Sequence, residues 1–234
     1  MDNNFTTPEI ILNKISELTE KFKNLNFTDI TPDEAKEILG GEVEGYDLEE
    51  GELFINSCKC AVYAKQLAEI CNYPNPQLAF MAAFYRDIGK LVLDKFVGEN
   101  YNKIYVLVCN GDISFLEAEK SVLGVNHCEA GMVLAERLNF PKTIVDVIKF
   151  HHSPEQSKAL QPNDIELIII VHVADYVTMK SGCGTGNDGM MYKIESDAFE
   201  YIKMKSDPMV IEKIINEMDE LNFALLDIMK IIKS

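Results

Sequence analysis

Ionisable side chains set in apolar surroundings are where this chain could do chemistry. Asp87 follows Arg86 in a nearly apolar run, residues 79–93, and Asp175 lies in a second run that reads Leu-Ile-Ile-Ile-Val over residues 167–171. Carboxylates at such positions cost several kcal/mol to bury unless they are paired or bound to a metal. The candidate partners are Arg86, His127 and the doublet His151-His152. Three of the four histidines fall in this set, so imidazole is concentrated where the buried carboxylates need it. Imidazole and carboxylate together suit manganese, iron or zinc; a guanidinium instead offers donors to two carboxylates with no ion at all. His172, one turn before Asp175, is a further candidate as that carboxylate's hydrogen-bond partner.

The ordered set Asp87, His127, His151-His152, Asp175, with Asp87-Ile88-Gly89-Lys90 around the first member, resembles the HD superfamily of metal-dependent phosphohydrolases. Within it, the chain is most similar to the HDOD branch, the HD-related output domains of bacterial signalling, over residues 46–186. Leu-Gly-Val-Asn-His-Cys-Glu-Ala-Gly around His127 and His-His-Ser-Pro-Glu from His151 carry the later part of the likeness. The resemblance implies an all-α fold, a single-domain multi-helix bundle of the HD type. It divides the chain into an N-terminal helical extension, 1–45, and an HDOD-like body, 46–234, that includes the C-terminal helices.

The resemblance also implies a two-metal site. Histidines at the positions of Asn56 and Arg86 would serve one ion with Asp87 and Asp175, and the positions of His127 and His151 would serve the other, with Asp87 shared. This chain has Asn56 and Arg86 instead. An amide is a poor ligand beside imidazole, and an arginine stays protonated and repels a cation. The expected ligand pocket comprises Glu52, Asn56, Arg86, Asp87, His127, His151, His152 and Asp175. Arg86 is expected to neutralise Asp87, Asp175 or Glu52. The pocket then holds no cofactor, or at most one divalent ion (Mn, Fe or Zn) on Asp87, His127, His151, His152 and Asp175. Asp87 and Lys90 are the catalytic candidates if the site is active. The implied function is a regulatory signalling module that senses a ligand or binds a protein partner. The alternative is a weak single-metal phosphohydrolase acting on a nucleotide or cyclic dinucleotide, and a purely structural scaffold is the third reading.

The elements that must position these groups read as helices throughout. Thr7-Pro8-Glu9 and Thr31-Pro32-Asp33-Glu34 each place a hydroxyl before proline, a helix start, and Gly40-Gly41 stops the second helix. A helical pattern covers 48–70 and sets Glu52 and Asn56 one turn apart on one face. Pro76 starts the run toward Asp87, and a further helical stretch covers 101–109 beyond Gly89 and Gly98. Residues 114–123 form another helix, after which Asn126 with Glu129 three residues on has the form of a capping box that starts a helix at His127. A helix from Pro141 carries Ile144, Val147, Ile148 and His151 along one apolar face. Asp164 caps residues 165–176. The segment 181–189 is glycine-rich, but no strand precedes it and no Gly-Lys-Ser/Thr ends it, so it reads as a loop, not a phosphate cradle. Helices are expected around Tyr201, at 210–218 and at 223–232.

Composition bounds the partners. A formal charge of −16 repels nucleic acid and anionic membrane at long range. From residue 29 to 52 there are ten acidic residues against one lysine, a solvated segment or a docking surface for a basic partner. No apolar run reaches the length of a membrane span, and the amino terminus lacks a basic start with an apolar core, so a cytoplasmic setting is expected. The six cysteines form no CxxC knuckles and read as free buried thiols. A protein partner, with a small phosphorylated ligand as a second candidate, remains.

Overall fold

A computed structural model of the chain describes residues 7–27, 29–111 and 113–180, together with 186, 197 and 198. The expected loop at 181–189, apart from Gly186, and the expected helices beyond residue 198 lie outside the described residues.

Among the described residues nine α-helices follow one another: α1 (Thr7–Phe22), α2 (Pro32–Leu39), α3 (Glu52–Ile70), α4 (Pro76–Tyr85), α5 (Lys90–Gly111), α6 (Phe115–Leu123), α7 (His127–Arg137), α8 (Lys142–Phe150) and α9 (Pro162–Lys180). Short 3-10 turns stand at Glu44–Tyr46 and Pro154–Ser157. Among the described residues there is no strand, only an isolated antiparallel bridge between Val43 and Leu48. The fold is all-α, and no described helix is long and apolar enough to cross a membrane.

Local chemistry sets the helix starts. Thr31, Ser114 and Asn126 each accept a hydrogen bond from the third helical residue, whose glutamate reaches back to the cap backbone. Each such box satisfies two amide donors that a helix start would otherwise leave unpaired. Asn75 accepts from Leu78 N–H and Pro76 opens α4. The first turn of the expected 48–70 helix is absent. Leu48 pairs with Val43, and Gly51 takes a left-handed φ of +83°, so α3 begins at Glu52. Helix α9 begins at Pro162, earlier than Asp164, and α5 runs unbroken through Gly98. That glycine faces Gly45 on the first 3-10 turn: a Cβ on Gly45 would lie 2.0 Å from the Asp94 carbonyl oxygen and 2.9 Å from Gly98 N. Gly98 is thus kept as a contact face, not as a helix stop.

Helix α9 lies at the centre, with residues 167–175 all buried. It packs on α3, α4 and α8, while α3 packs on α4 and α7 on α8. This matches the expectation from its unbroken apolar run, since a helix apolar on every side must be surrounded. The run 79–93 divides: α4 ends at Tyr85, residues 86–89 form a turn, and α5 starts at Lys90. A single helix through Asp87 would have carried its carboxylate round with the helix. The turn instead exposes Arg86 and Asp87 to the interior between α3, α7, α8 and α9.

A backbone contact fixes that turn. A Cβ on Gly89 would lie 1.9 Å from the His127 carbonyl oxygen and 2.6 Å from Gly131 N, and a Cβ on Gly131 would lie 3.0 Å from Gly89 N. Glycine at both positions lets the Asp87 turn rest directly on the first turns of α7.

Candidate functional site

The contact of Gly89 with α7 brings Asp87 against His127, and the packing of α7 on α8 brings His151 beside them. Arg86, Asp87, His127, His151 and Asp175 are all buried, none more than 2 % exposed. They form two halves that share Asp87.

In one half the guanidinium of Arg86 is satisfied from every side. Its Nε donates to Asp175 Oδ1 at 2.7 Å, one terminal nitrogen lies 3.0 Å from Asp87 Oδ2 and also bonds Asn56 Oδ1, and the other donates to the Ala83 carbonyl at 3.2 Å. Lys90 Nζ stands 3.3 Å from the same Asp87 oxygen and 5.6 Å from the Tyr46 ring centre. Burial pushes the Asp87 carboxyl toward protonation, but Arg86 and then Lys90 outweigh it and hold it well below the ordinary carboxylate range. Arg86 therefore pairs with Asp87 and Asp175, and Asn56 supplies a third acceptor. Glu52 is outside this set. It is half-buried, and its carboxylate accepts from Glu49 N–H at 2.8 Å, closing the turn before α3.

The other half holds three buried atoms that have no hydrogen-bond partner among the described residues: Asp87 Oδ1, His127 Nε2 and His151 Nε2. Both imidazole nitrogens stand 3.7 Å from the carboxylate oxygen, too far for a hydrogen bond. Each ring has its other nitrogen engaged. His127 Nδ1 lies 2.9 Å from Glu119 Oε2, and His151 Nδ1 lies 3.0 Å from the Ile148 carbonyl. An acceptor at Nδ1 requires the proton there in the neutral ring, which leaves Nε2 as a lone pair aimed at Asp87. Two imidazole lone pairs and a carboxylate oxygen that converge, buried and unpartnered, fit a divalent cation. Donors that each stand about 2.0–2.2 Å from one ion are separated by distances of this order. Asp175 is turned away toward Arg86, with its Oδ2 3.9 Å from His152 Nδ1.

The surrounding negative groups draw positive charge to the rings of His127 and His151, and with no ion bound that charge is a proton, which a metal would have to displace from Nε2. Burial favours the neutral form of His127, but the Glu119 carboxylate overrides it and raises that pKa well above its ordinary value. Burial likewise opposes a charge on His151, yet neighbouring Cys128 and Asp87 raise it to about 10. His152 goes the other way: burial and the two neighbouring imidazoles lower it well below its usual value. The hydrogen bond that His172 Nδ1 makes is not to Asp175. This nitrogen donates to the His151 carbonyl at 2.7 Å and so anchors the end of α8 on α9.

Three contributors were not singled out from the sequence. Glu119 is fully buried, accepting from Tyr46 Oη at 2.5 Å, from the His127 backbone N–H at 2.9 Å and from the His127 ring. Its sequence signal was present: Glu119 falls four residues after Phe115 and four before Leu123, on the apolar face of α6. Tyr46 gave no such signal, because it belongs to a turn whose position depends on Gly45 meeting α5. Cys128, read as a core thiol, lies 3.8 Å from His151 Nδ1, and although burial raises its pKa, the His151 and His127 charges bring it below the ordinary thiol value. A cleft of about 670 Å³ opens on this side, lined by His127, Cys128, His152, Lys120, Lys149 and Glu155 among others.

Compared with models of protein families, the chain matches the HDOD domain over residues 35–154. Among curated proteins nothing matches. Two solved structures are similar. One is an HDOD domain protein of unknown function from Geobacter sulfurreducens, 21% identical, covering 96% of this chain and 91% of that one with a TM-score of 0.57. The other, from Shewanella amazonensis SB2B, is named as a candidate phosphohydrolase; it is 18% identical, with coverage of 90% and 79% and a TM-score of 0.55.

Proposed function

The chain belongs to the HDOD family, and from that premise we propose that it is a regulatory module in which an arginine has replaced half of a metal-dependent hydrolase site. The observation that carries this reading is the buried Arg86 fork. It engages Asp87, Asp175 and Asn56 together, where the family resemblance places the ligands of one ion. A guanidinium there supplies the positive charge the carboxylates require and keeps a cation out. Two-metal hydrolysis depends on a pair of ions that flank the reacting phosphate, so a pocket reduced in this way does not turn over phosphodiesters efficiently. It acts in the cytoplasm by sensing a ligand or by binding a signalling-protein partner. In this division residues 1–45 are an extension on the HDOD-like body of 46–234.

A second reading is favoured by the three unpartnered atoms of Asp87, His127 and His151. They would hold one Mn, Fe or Zn ion, with His152 beside them, and the ion would polarise a phosphate or a water when bound. The chain's own residues would then do the following: Glu119 orients His127, Lys90 holds Asp87 ionised, and the cleft admits a nucleotide or cyclic dinucleotide. This is the weak single-metal phosphohydrolase.

The test is elemental analysis of purified protein combined with a phosphodiester assay. The regulatory reading expects at most one transition metal per chain and turnover far below the range of about 1 per second and above that enzymes usually reach. Two tightly held ions with turnover in that range would refute it. Asn56→His together with Arg86→His should raise the metal stoichiometry, because it restores two imidazoles to the vacant half.

A further inference from the structure

The imidazoles have a second possible set of companions. Cys128 is 2 % exposed, and its Sγ lies with one ring nitrogen each of His127, His151 and His152 so that all four donor atoms fall within 4.8 Å of one another. The four residues come from only two places, the first two residues of α7 and the two residues that close α8. These ends are held by backbone: His127 N–H donates to Glu119, and the His151 carbonyl accepts from His172. His127 Nε2 is one of the buried unpartnered nitrogens already described; the His151 nitrogen near the thiol is Nδ1, 3.8 Å from Cys128 Sγ, whose bond to the Ile148 carbonyl ligation would displace. Cys128, His127 and His152 all line the cleft, so this face of the cluster is open to an entering ion.

We propose that these four residues form a thiolate-bearing metal site that takes zinc, or iron(II), in preference to manganese, with Cys128 as a ligand. The proposal rests on the reading that the histidine pocket takes one ion, and it assigns that ion's ligands and identity. Three imidazoles and a thiolate are a tetrahedral zinc-type donor set, and sulfur selects soft ions where carboxylate selects manganese or magnesium. Asp87 Oδ2 is already held by Arg86 and Lys90. Two fixed cations beside that carboxylate lessen its attraction for a third, which leaves the sulfur as the donor that sets the preference of the site. Cys128 is thus placed unlike a buried structural thiol, which sits among apolar groups: imidazoles surround its sulfur.

The test uses the full chain, stripped with chelator, in a Cys109→Ser/Cys183→Ser background so that neither of those thiols contributes. Cobalt(II), the spectroscopic stand-in for zinc, is titrated in, then displaced with zinc; manganese is titrated separately. At one equivalent of cobalt a sulfur-to-cobalt charge-transfer band should appear in the near ultraviolet and vanish as zinc replaces it. Cys128→Ser should abolish the band and weaken zinc by at least about 10-fold, the lower end of what even outer ligand partners contribute. Cobalt bound in full without the band, or zinc affinity unaltered in Cys128→Ser, overturns the proposal and leaves the single-ion reading standing. Failure of the parent to bind cobalt, zinc or manganese overturns both. If Cys128→Ser does not fold by circular dichroism, Cys128→Ala, which buries no hydroxyl, takes its place.

Discussion

Replacing Arg86 by alanine removes the one cation that Asp87 and Asp175 share. Arg86 is 1 % exposed and makes two ion pairs, at 3.0 and 2.7 Å, with further hydrogen bonds to Asn56 and the Ala83 carbonyl. Truncation leaves Asp175 without its guanidinium and Asp87 with only Lys90 of its two fixed cations, both carboxylates being buried. Breaking a buried pair in this way costs about 3–5 kcal/mol, a large part of the total of about 5–15 kcal/mol that holds a domain together. With a urea slope of about 3 kcal/mol/M, the midpoint should fall by about 1–1.7 M at pH 7. The pH dependence has a definite sign. In the native protein the folded pKa of Asp87 is depressed, so its contribution is present above the unfolded value of about 3.9 and lost as pH falls through the folded one. In the variant, burial acts against fewer opposing charges and the folded pKa rises, so stability is lost as pH climbs through it. The gap between the two proteins should therefore be widest at neutral pH and narrow toward pH 4–5. The assay is a urea melt followed by circular dichroism at two pH values with chelator present. A midpoint unmoved by the substitution at both would refute the reasoning.

Glu119→Gln should lower the affinity for zinc or manganese about 10–100-fold, the usual consequence of disturbing the partner that orients a ligating histidine, while the helix content stays native; calorimetric titration giving equal affinities would dismiss Glu119 as a positioning residue. Gly89→Ala should destabilise the fold by at least about 1–3 kcal/mol, since the added carbon would meet backbone at 1.9 Å. Gly41→Ala, with nothing within 4 Å of the added carbon, is the control and should cost little; equal melting of the two would show that the turn and α7 can separate freely.

The parts of the fold that could be read from sequence were those specified within a few residues. The capping box at Asn126, the helix opened by Thr31 and the buried character of α9 all depend on neighbours in the chain, and each is found as expected. The division of 79–93 into a helix, a turn and a second helix was not legible, because apolar content alone does not distinguish a buried helix from a buried turn. The reason for the turn lies far along the chain, at His127 and Gly131 in the α7 backbone that only a glycine can approach. The same holds for the site. Arg86 with Asp87 and Asp175 was legible because a charge within an apolar run demands a partner. Glu52 was drawn in by its spacing from Asn56, but i,i+4 stacking says nothing of which residue faces inward, and a nearer backbone N–H at Glu49 takes its carboxylate. Glu119 and Tyr46 depend on contacts spanning 73 residues, which no local pattern encodes.

The meeting of Gly89 with the first turns of α7 has a consequence for how such a pocket changes over evolutionary time. Because backbone touches backbone there, the separation between the Asp87 turn and the imidazoles is set without reference to what the side chains bind. A change in what the pocket holds, whatever it costs in stability, therefore need not move the Asp87 turn relative to α7.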